Sequence, residues 1–183
     1  MRIKKLTAAF GALDGAVLEP GAGLTVITAP NEAGKSTWAG FWRAMLYGID
    51  TRERDKTGFL ADKTRYLPWS GAPMAGEAQL EWEGKDITLR RFAARTNPFG
   101  GFEAVYTATG DPVPGLTAAN AGERLTGVGK EVYLRSAFVG QGGAAIEASR
   151  ELEARIAALA TSGEEDVAYS AVERTLKDWR NRR

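Results

Sequence analysis

Nine consecutive residues, Ala29-Pro30-Asn31-Glu32-Ala33-Gly34-Lys35-Ser36-Thr37, have the types and spacing to hold a phosphate chain. The apolar run Leu24-Thr25-Val26-Ile27-Thr28 precedes them, and a helix-compatible run, Trp38 to Tyr47, follows. Strand, glycine-bearing loop and helix in that order are the layout of a phosphate-binding P-loop. The loop turns the backbone N–H groups of Asn31, Glu32, Ala33, Gly34, Lys35, Ser36 and Thr37 inward around the phosphates. Lys35 then reaches the β and γ phosphates, and the Ser36 hydroxyl sits on Mg²⁺. The positive end of the helix adds to the same anion site. The expected ligand is a nucleoside triphosphate.

The usual pattern opens on Gly, whereas position 29 is Ala. Glycine is favoured where the backbone needs positive φ or close approach to a ligand. Ala29, the smallest alternative, is expected to keep nucleotide binding but to weaken it.

The elements that must position this loop are legible on both sides of it. Ile3 to Phe10 reads as a first strand, Gly11 to Gly15 as a turn, and Ala16 to Glu19 as a second strand. Pro20-Gly21 to Gly23 turns again, and Leu24 to Thr28 is the strand expected to feed the loop. Lys35 to Tyr47 is the helix, with Trp38, Phe41, Trp42, Met45 and Leu46 as its apolar side and Gly48 as its stop. Residues 50 to 75 read as a basic surface loop broken by Pro68 and Pro73. Strands are expected over Glu77 to Glu83 and Asp86 to Ala93, with Ile87 and Leu89 inward. A weaker strand, Glu103 to Ala108, follows a break at Asn97-Pro98 and Gly100-Gly101. Helical character resumes from Gly122 to Val139, and Gly140-Gln141-Gly142-Gly143 interrupts it. Leu152, Ile156 and Leu159 mark a short amphipathic helix. A capping-box pair, Ser170 and Glu173, opens a last helix in which Val172, Leu176 and Trp179 form a coiled-coil-like seam.

Composition narrows the chemistry. Lys plus Arg number 24 against 23 Asp plus Glu, so bulk charge gives no reason to expect nucleic-acid binding. There is no Cys, which excludes disulfides and thiolate metal sites, and no His, which removes the usual neutral-pH base. Met1-Arg2-Ile3-Lys4-Lys5 is not followed by the apolar core of a signal peptide. No stretch approaches a membrane-spanning length, so no membrane association is expected and the expected location is the cytoplasm.

Taken together, the chain resembles the N-terminal lobe of SMC-like, ABC-type ATPase heads of the SbcC and YhaN kind, which act in DNA repair. Four segments carry the resemblance: the strand pair running into Pro30-Asn31-Glu32-Ala33-Gly34-Lys35-Ser36-Thr37; Arg65-Tyr66-Leu67-Pro68-Trp69 with the hairpin ending in Leu89-Arg90-Arg91-Phe92; Phe138-Val139-Gly140-Gln141-Gly142; and the closing helix. The implied fold is α/β: a P-loop NTPase, with an ABC-ATPase-like N-terminal lobe over residues 1–160. That lobe would carry an antiparallel β subdomain at about residues 76–108, and a C-terminal helix over 161–183 would lead to a coiled coil. The third segment is similar to the family's Q-loop, which assigns Gln141 to Mg²⁺ and the attacking water. An amide suits that task, since its carbonyl oxygen ligates a hard cation without adding charge.

The resemblance further implies ATP with Mg²⁺ as cofactors and a C-terminal lobe of the same ATPase as partner. It also implies a second head that dimerises on ATP, a nuclease partner of the SbcD kind, and double-stranded DNA. Lys35 and Gln141 would be the catalytic residues, and Ser36 and Gln141 the metal ligands. No Asp-Glu dipeptide occurs anywhere in the chain, so a Walker B strand is missing. Ala144-Ala145-Ile146-Glu147 lacks the magnesium-binding Asp, Thr161-Ser162-Gly163-Glu164 matches the signature loop only in part, and the switch histidine is lacking. In such heads all three lie beyond the coiled coil, so half a head, truncated or split, is expected to be inactive alone. The alternative is a nucleotide-binding interaction module without catalysis. A P-loop kinase would need lid arginines that nothing here marks.

Arg52, Arg54, Lys56, Lys63 and Arg65 could meet DNA phosphates, but Glu53, Asp55 and Asp62 interleave with them, and a solvated loop is the favoured reading. Arg90, Arg91 and Arg95 are a weaker candidate, and alternation requires Arg90 or Arg91 to face solvent. The tryptophans are expected in the core, Trp38 and Trp42 foremost, with Trp69 and Trp82 left open.

Overall fold

The computed structural model describes residues 1–138, together with residues 154 and 157. Contacts divide the chain into Met1–Val128 and a second unit beginning at Gly129. The first unit is built on a five-stranded antiparallel sheet. Its strands are β1 (Arg2–Phe10), β2 (Leu13–Leu18), β3 (Ala75–Trp82), β4 (Lys85–Ala94) and β5 (Asn97–Tyr106), in the order β2-β1-β3-β4-β5. The N-terminal pair and the later hairpins therefore share one sheet, joined where Leu6 pairs with Ala78. Three helices belong to the same unit: α1 (Lys35–Tyr47), α2 (Asp62–Arg65) and α3 (Ala121–Thr126). In the second unit, α4 spans Lys130–Ser136.

Period-two burial sets the face of the sheet. Leu6, Ala8 and Phe10 point inward from β1, Ala78 and Leu80 from β3, and Ile87 and Leu89 from β4. Helix α1 lies on this face through Phe41, Ala44, Met45 and Leu46, all buried. It can lie close because Ala8, Gly76, Arg91 and Phe102 are successive register partners, and position 76 carries no side chain. A methyl group there would come within 2.5 Å of the Phe41 ring and 2.7 Å of Met45 Sδ. Phe10, Phe41 and Phe99 close the core, with Phe10 5.6 Å from Phe41 and 5.4 Å from Phe99 between ring centres.

Several sequence expectations need correction. Leu24 to Thr28 is not a strand: it belongs to no element of the sheet, with Leu24 92% and Val26 72% exposed. A strand exists only when a neighbour takes up its N–H and C=O groups, and residues 24–28 pair with none of the five strands of the sheet. The β1–β2 connection is only Gly11-Ala12, so β2 starts at Leu13 rather than Ala16. Asn97-Pro98 and Gly100-Gly101 do not break β5 but belong to it. β5 is an edge strand, where a residue without an N–H is tolerated. Within 50–75, α2 forms a single short turn ahead of Pro68. The helical stretch after Gly122 is two helices, separated by left-handed Gly127. Trp38 and Trp42 are half-buried rather than core. Gln141, the glycines around it, the 160/161 boundary, the last helix and the markers Leu152, Ile156 and Leu159 lie outside the described residues, while Ala154 and Ala157 are helical.

Candidate nucleotide site

The loop ahead of α1 folds tightly. The Ala33 N–H donates to the Pro30 carbonyl at 3.4 Å, which closes the bend. Gly34 caps the helix in the left-handed region, with φ 85° and ψ 11°. A side chain at position 34 would strain the backbone and bring a methyl group within 3.0 Å of Leu13 Cδ2 on β2. The helical ladder begins when the Trp38 N–H donates to the Gly34 carbonyl at 2.9 Å. The amides of Lys35, Ser36 and Thr37 lie ahead of that ladder, in the first turn whose dipole favours an anion. No acidic residue occupies this turn.

Lys35 bends back over the loop. Its ammonium donates to the Ala29 carbonyl at 2.6 Å and to the Pro30 carbonyl at 2.7 Å. An ammonium has three N–H donors, so this grip fixes the charge over the bend and leaves the third donor for an anion. The left-handed glycine, the helix end and the anchored lysine suit a polyphosphate. Asn31, Glu32, Ala33 and Ser36 are exposed around the bend, Thr37 is half-buried, and Gly34 is buried beneath it.

Ala29 does not occupy a left-handed position in the loop. Among the described residues the non-glycine positions with positive φ are Glu32, Glu83 and Arg95. The left-handed conformation in the loop's first half thus falls on Glu32, at φ 66°, rather than on position 29. Positive φ is therefore no reason for Ala29 to weaken binding.

The β1–β2 turn buttresses the loop from below. A methyl group on Gly11 would meet Thr37 Cγ2 at 3.0 Å, so backbone and helix nearly touch there. Gly11 in turn holds the segment Tyr66–Trp69. Its N–H donates to the Tyr66 carbonyl at 2.8 Å, and its carbonyl accepts from the Trp69 N–H at 3.0 Å. The Tyr66 ring stacks on Phe10 at 4.5 Å.

The remaining sequence candidates separate. Arg90 faces outward and pairs with Glu77 at 2.9 Å. Arg91 is buried and hydrogen-bonded to backbone carbonyls of Met45, Leu46 and Ala118, which removes it from any nucleic-acid surface. Arg52 pairs with Asp50 at 3.0 Å, and Lys63 donates to the Thr51 carbonyl at 2.8 Å. Asp55 accepts from the Ala61 N–H at 2.8 Å and Asp62 pairs with Arg43, so the charges of this loop largely organise the loop itself. Arg54, Lys56 and Arg65 are exposed.

The positions of Arg91 and Trp69 were left open by the sequence. Arg91 lies at the far end of α1, and period-two alternation already offered it as one of two inward choices. Trp69 lies in the Arg65–Trp69 segment that carries part of the resemblance, but its exposure depends on how that segment is clamped.

A family model described as an AAA domain matches residues 1–173. No curated protein matches the chain. The family match supports a nucleotide-binding ATPase domain of α/β fold. Among the described residues no helix is long and apolar enough to cross a membrane.

Proposed function

The chain belongs to the AAA-domain family, and we propose that it is the ATP-binding half of an SMC-like ATPase head. The observation that carries this reading is the closed bend at 30–34 with Lys35 anchored across it on two carbonyls. In this reading the amides from Asn31 to Thr37 cradle the phosphates, Lys35 spends its third N–H on them, and Ser36 Oγ is a metal ligand. Mg²⁺, when bound, offsets phosphate charge. It would be held by Ser36 and by phosphate oxygens, since the described residues contain no cluster of three His, Cys, Asp or Glu. Gln141 would complete that shell and orient water.

The unpaired run Leu24 to Thr28 supports the need for a second lobe. Leu24, Val26 and Ile27 are exposed although their sequence is strand-like, and such a run is stabilised once another strand takes up its backbone. That lobe would supply the Asp-Glu pair of a Walker B strand, a dipeptide that does not occur in this sequence, and a second head would close over the nucleotide. DNA as substrate and an SbcD-like nuclease as partner follow from the resemblance alone. The alternative is a nucleotide-binding interaction module without catalysis, which Ala29 supports slightly.

The test is an ATP titration of the 183-residue chain and of Lys35→Ala, with turnover measured in parallel. The wild type should bind, the variant should lose binding by at least about tenfold, and neither should hydrolyse ATP at an appreciable rate. Equal affinity in the two proteins would remove the site assignment, and rapid turnover by the chain alone would contradict the half-head.

A further inference from the structure

Large apolar side chains exposed among the described residues number ten, and Phe59, Leu60, Leu67 and Trp69 are four of them. Such side chains scattered singly need no explanation, but a group of them on a rigid support marks a contact surface. The support here is the Asp55 carboxylate, which accepts from the Ala61 N–H at 2.8 Å and from the Thr64 hydroxyl at 3.0 Å. Lys56 and Phe59 exchange backbone hydrogen bonds at 2.9 Å around left-handed Gly58, and the Leu67 N–H donates to the Thr64 carbonyl at 3.3 Å. Phe59 is thus bonded to the neighbour of Asp55, Leu60 is the neighbour of Ala61, and Leu67 is bonded to Thr64, so the three gather around one carboxylate. Asp62 pairs with Arg43 and ties the same segment to α1.

Cations share this place. Arg54 and Lys56 flank Asp55, Arg65 follows Thr64, and all three are exposed with no ion pair among the described residues. The acids around them are engaged, Asp50 by Arg52 and Asp55 and Asp62 as above, which leaves Glu53 alone against three positive charges. We propose that residues 54–67 form a docking surface for an acidic segment of a partner protein that carries apolar side chains of its own. Its carboxylates would meet Arg54, Lys56 and Arg65, and its apolar side chains would cover Phe59, Leu60 and Leu67. The internal bonds hold the surface in place beforehand, so little ordering cost falls on binding. A nucleic acid fits less well. Leucine offers a base no stacking face, and three cations neutralise only about three phosphates. The proposal does not depend on the nucleotide reading.

The experiment uses a displayed library of random peptides of about 14 residues, some four helical turns, selected on the 183-residue chain. Enriched peptides are then titrated into the wild type, Leu60→Ser, Lys56→Glu and Lys35→Ala, with urea midpoints as a control on folding. A class of peptides with net negative charge and several apolar residues should emerge. Leu60→Ser and Lys56→Glu should each weaken that class about tenfold, and added salt should weaken it further in the wild type. Lys35→Ala should bind it as the wild type does, so this surface and the P-loop reading stand or fall separately. If no enriched peptide depends on Leu60 and Lys56, or those that do carry no net negative charge, the docking surface is overturned. Oligothymidine or phosphatidylserine vesicles that bind at physiological salt and displace the peptides overturn it in favour of a nucleic acid or a lipid surface.

Discussion

Arg91 Nε on β4 donates to the Met45 carbonyl at 2.8 Å, in the last turn of the helix whose first turn forms the candidate phosphate site. The same guanidinium donates to the Ala118 carbonyl at 2.9 Å and lies 4.8 Å from the Phe102 ring centre. Helix α1 has no basic residue in its own last turn, so Arg91 supplies the cation that its negative end favours. Burial pushes the Arg91 guanidinium down to about 10, far enough above neutrality to leave it charged. One helix is thus held by a buried cation at one end and offers an anion site at the other.

Replacing Arg91 with Gln should destabilise the fold by about 2–4 kcal/mol, because three backbone carbonyls lose a charged donor in a buried setting. Arg91→Lys should recover only part of this, since an ammonium cannot reproduce the planar fork. Urea denaturation of the three proteins measures it. A loss in Arg91→Gln below about half a kcal/mol, the range of a surface substitution, would show that these contacts contribute little.

Glu32 carries a left-handed backbone that costs a non-glycine residue about 1 kcal/mol. Glu32→Gly should relieve it and leave folding stability equal or raised by up to about 1 kcal/mol, against the usual penalty for adding glycine. It also removes an exposed carboxylate beside the anion site, so ATP should bind more tightly, most visibly at low salt. Weaker binding in the variant would mean that the carboxylate itself serves the ligand.

Tyr47 joins α1 to α3. Its hydroxyl meets Thr126 Oγ1 at 2.9 Å and donates to the Val128 carbonyl at 3.0 Å. Tyr47→Phe should cost about 1 kcal/mol at neutral pH. Burial raises the phenol above its ordinary 10, so the unfolded chain releases this proton first. The stability that Tyr47 adds is complete below pH 10 and declines as pH rises past it. Thermal melts of wild type and Tyr47→Phe at pH 8 and above pH 10 should show the gap between them narrowing.

How much of this was legible in the sequence follows from the range of the forces involved. Helix α1 begins and ends at the residues expected of it, Lys35 and Tyr47. Its boundaries are local matters: left-handed Gly34 ahead of it, Gly48 with φ 70° behind it, and an apolar stripe between. The inward choice of Ile87 and Leu89 was equally local. The strand expected at Leu24 to Thr28 was over-read, because its apolar residues state a preference but its pairing belongs to another chain segment. The break expected at Pro98 was over-read for the converse reason, since only the strand order shows that β5 is an edge.

By itself the sequence determined the bend around Gly34, the lysine that follows it and the helix behind them, because each depends on φ, spacing and side chains within a few residues. Alternation from Ile87 and Leu89 already set Arg91 on the inward face, but tertiary structure alone supplied its partners, the carbonyls of Met45, Leu46 and Ala118. It also decided that Trp69 stands in water at the end of a clamped segment, because the bonds that hold Tyr66 and Trp69 come from Gly11, far back along the chain. Such contacts depend on which distant segments meet, and local spacing carries no record of that.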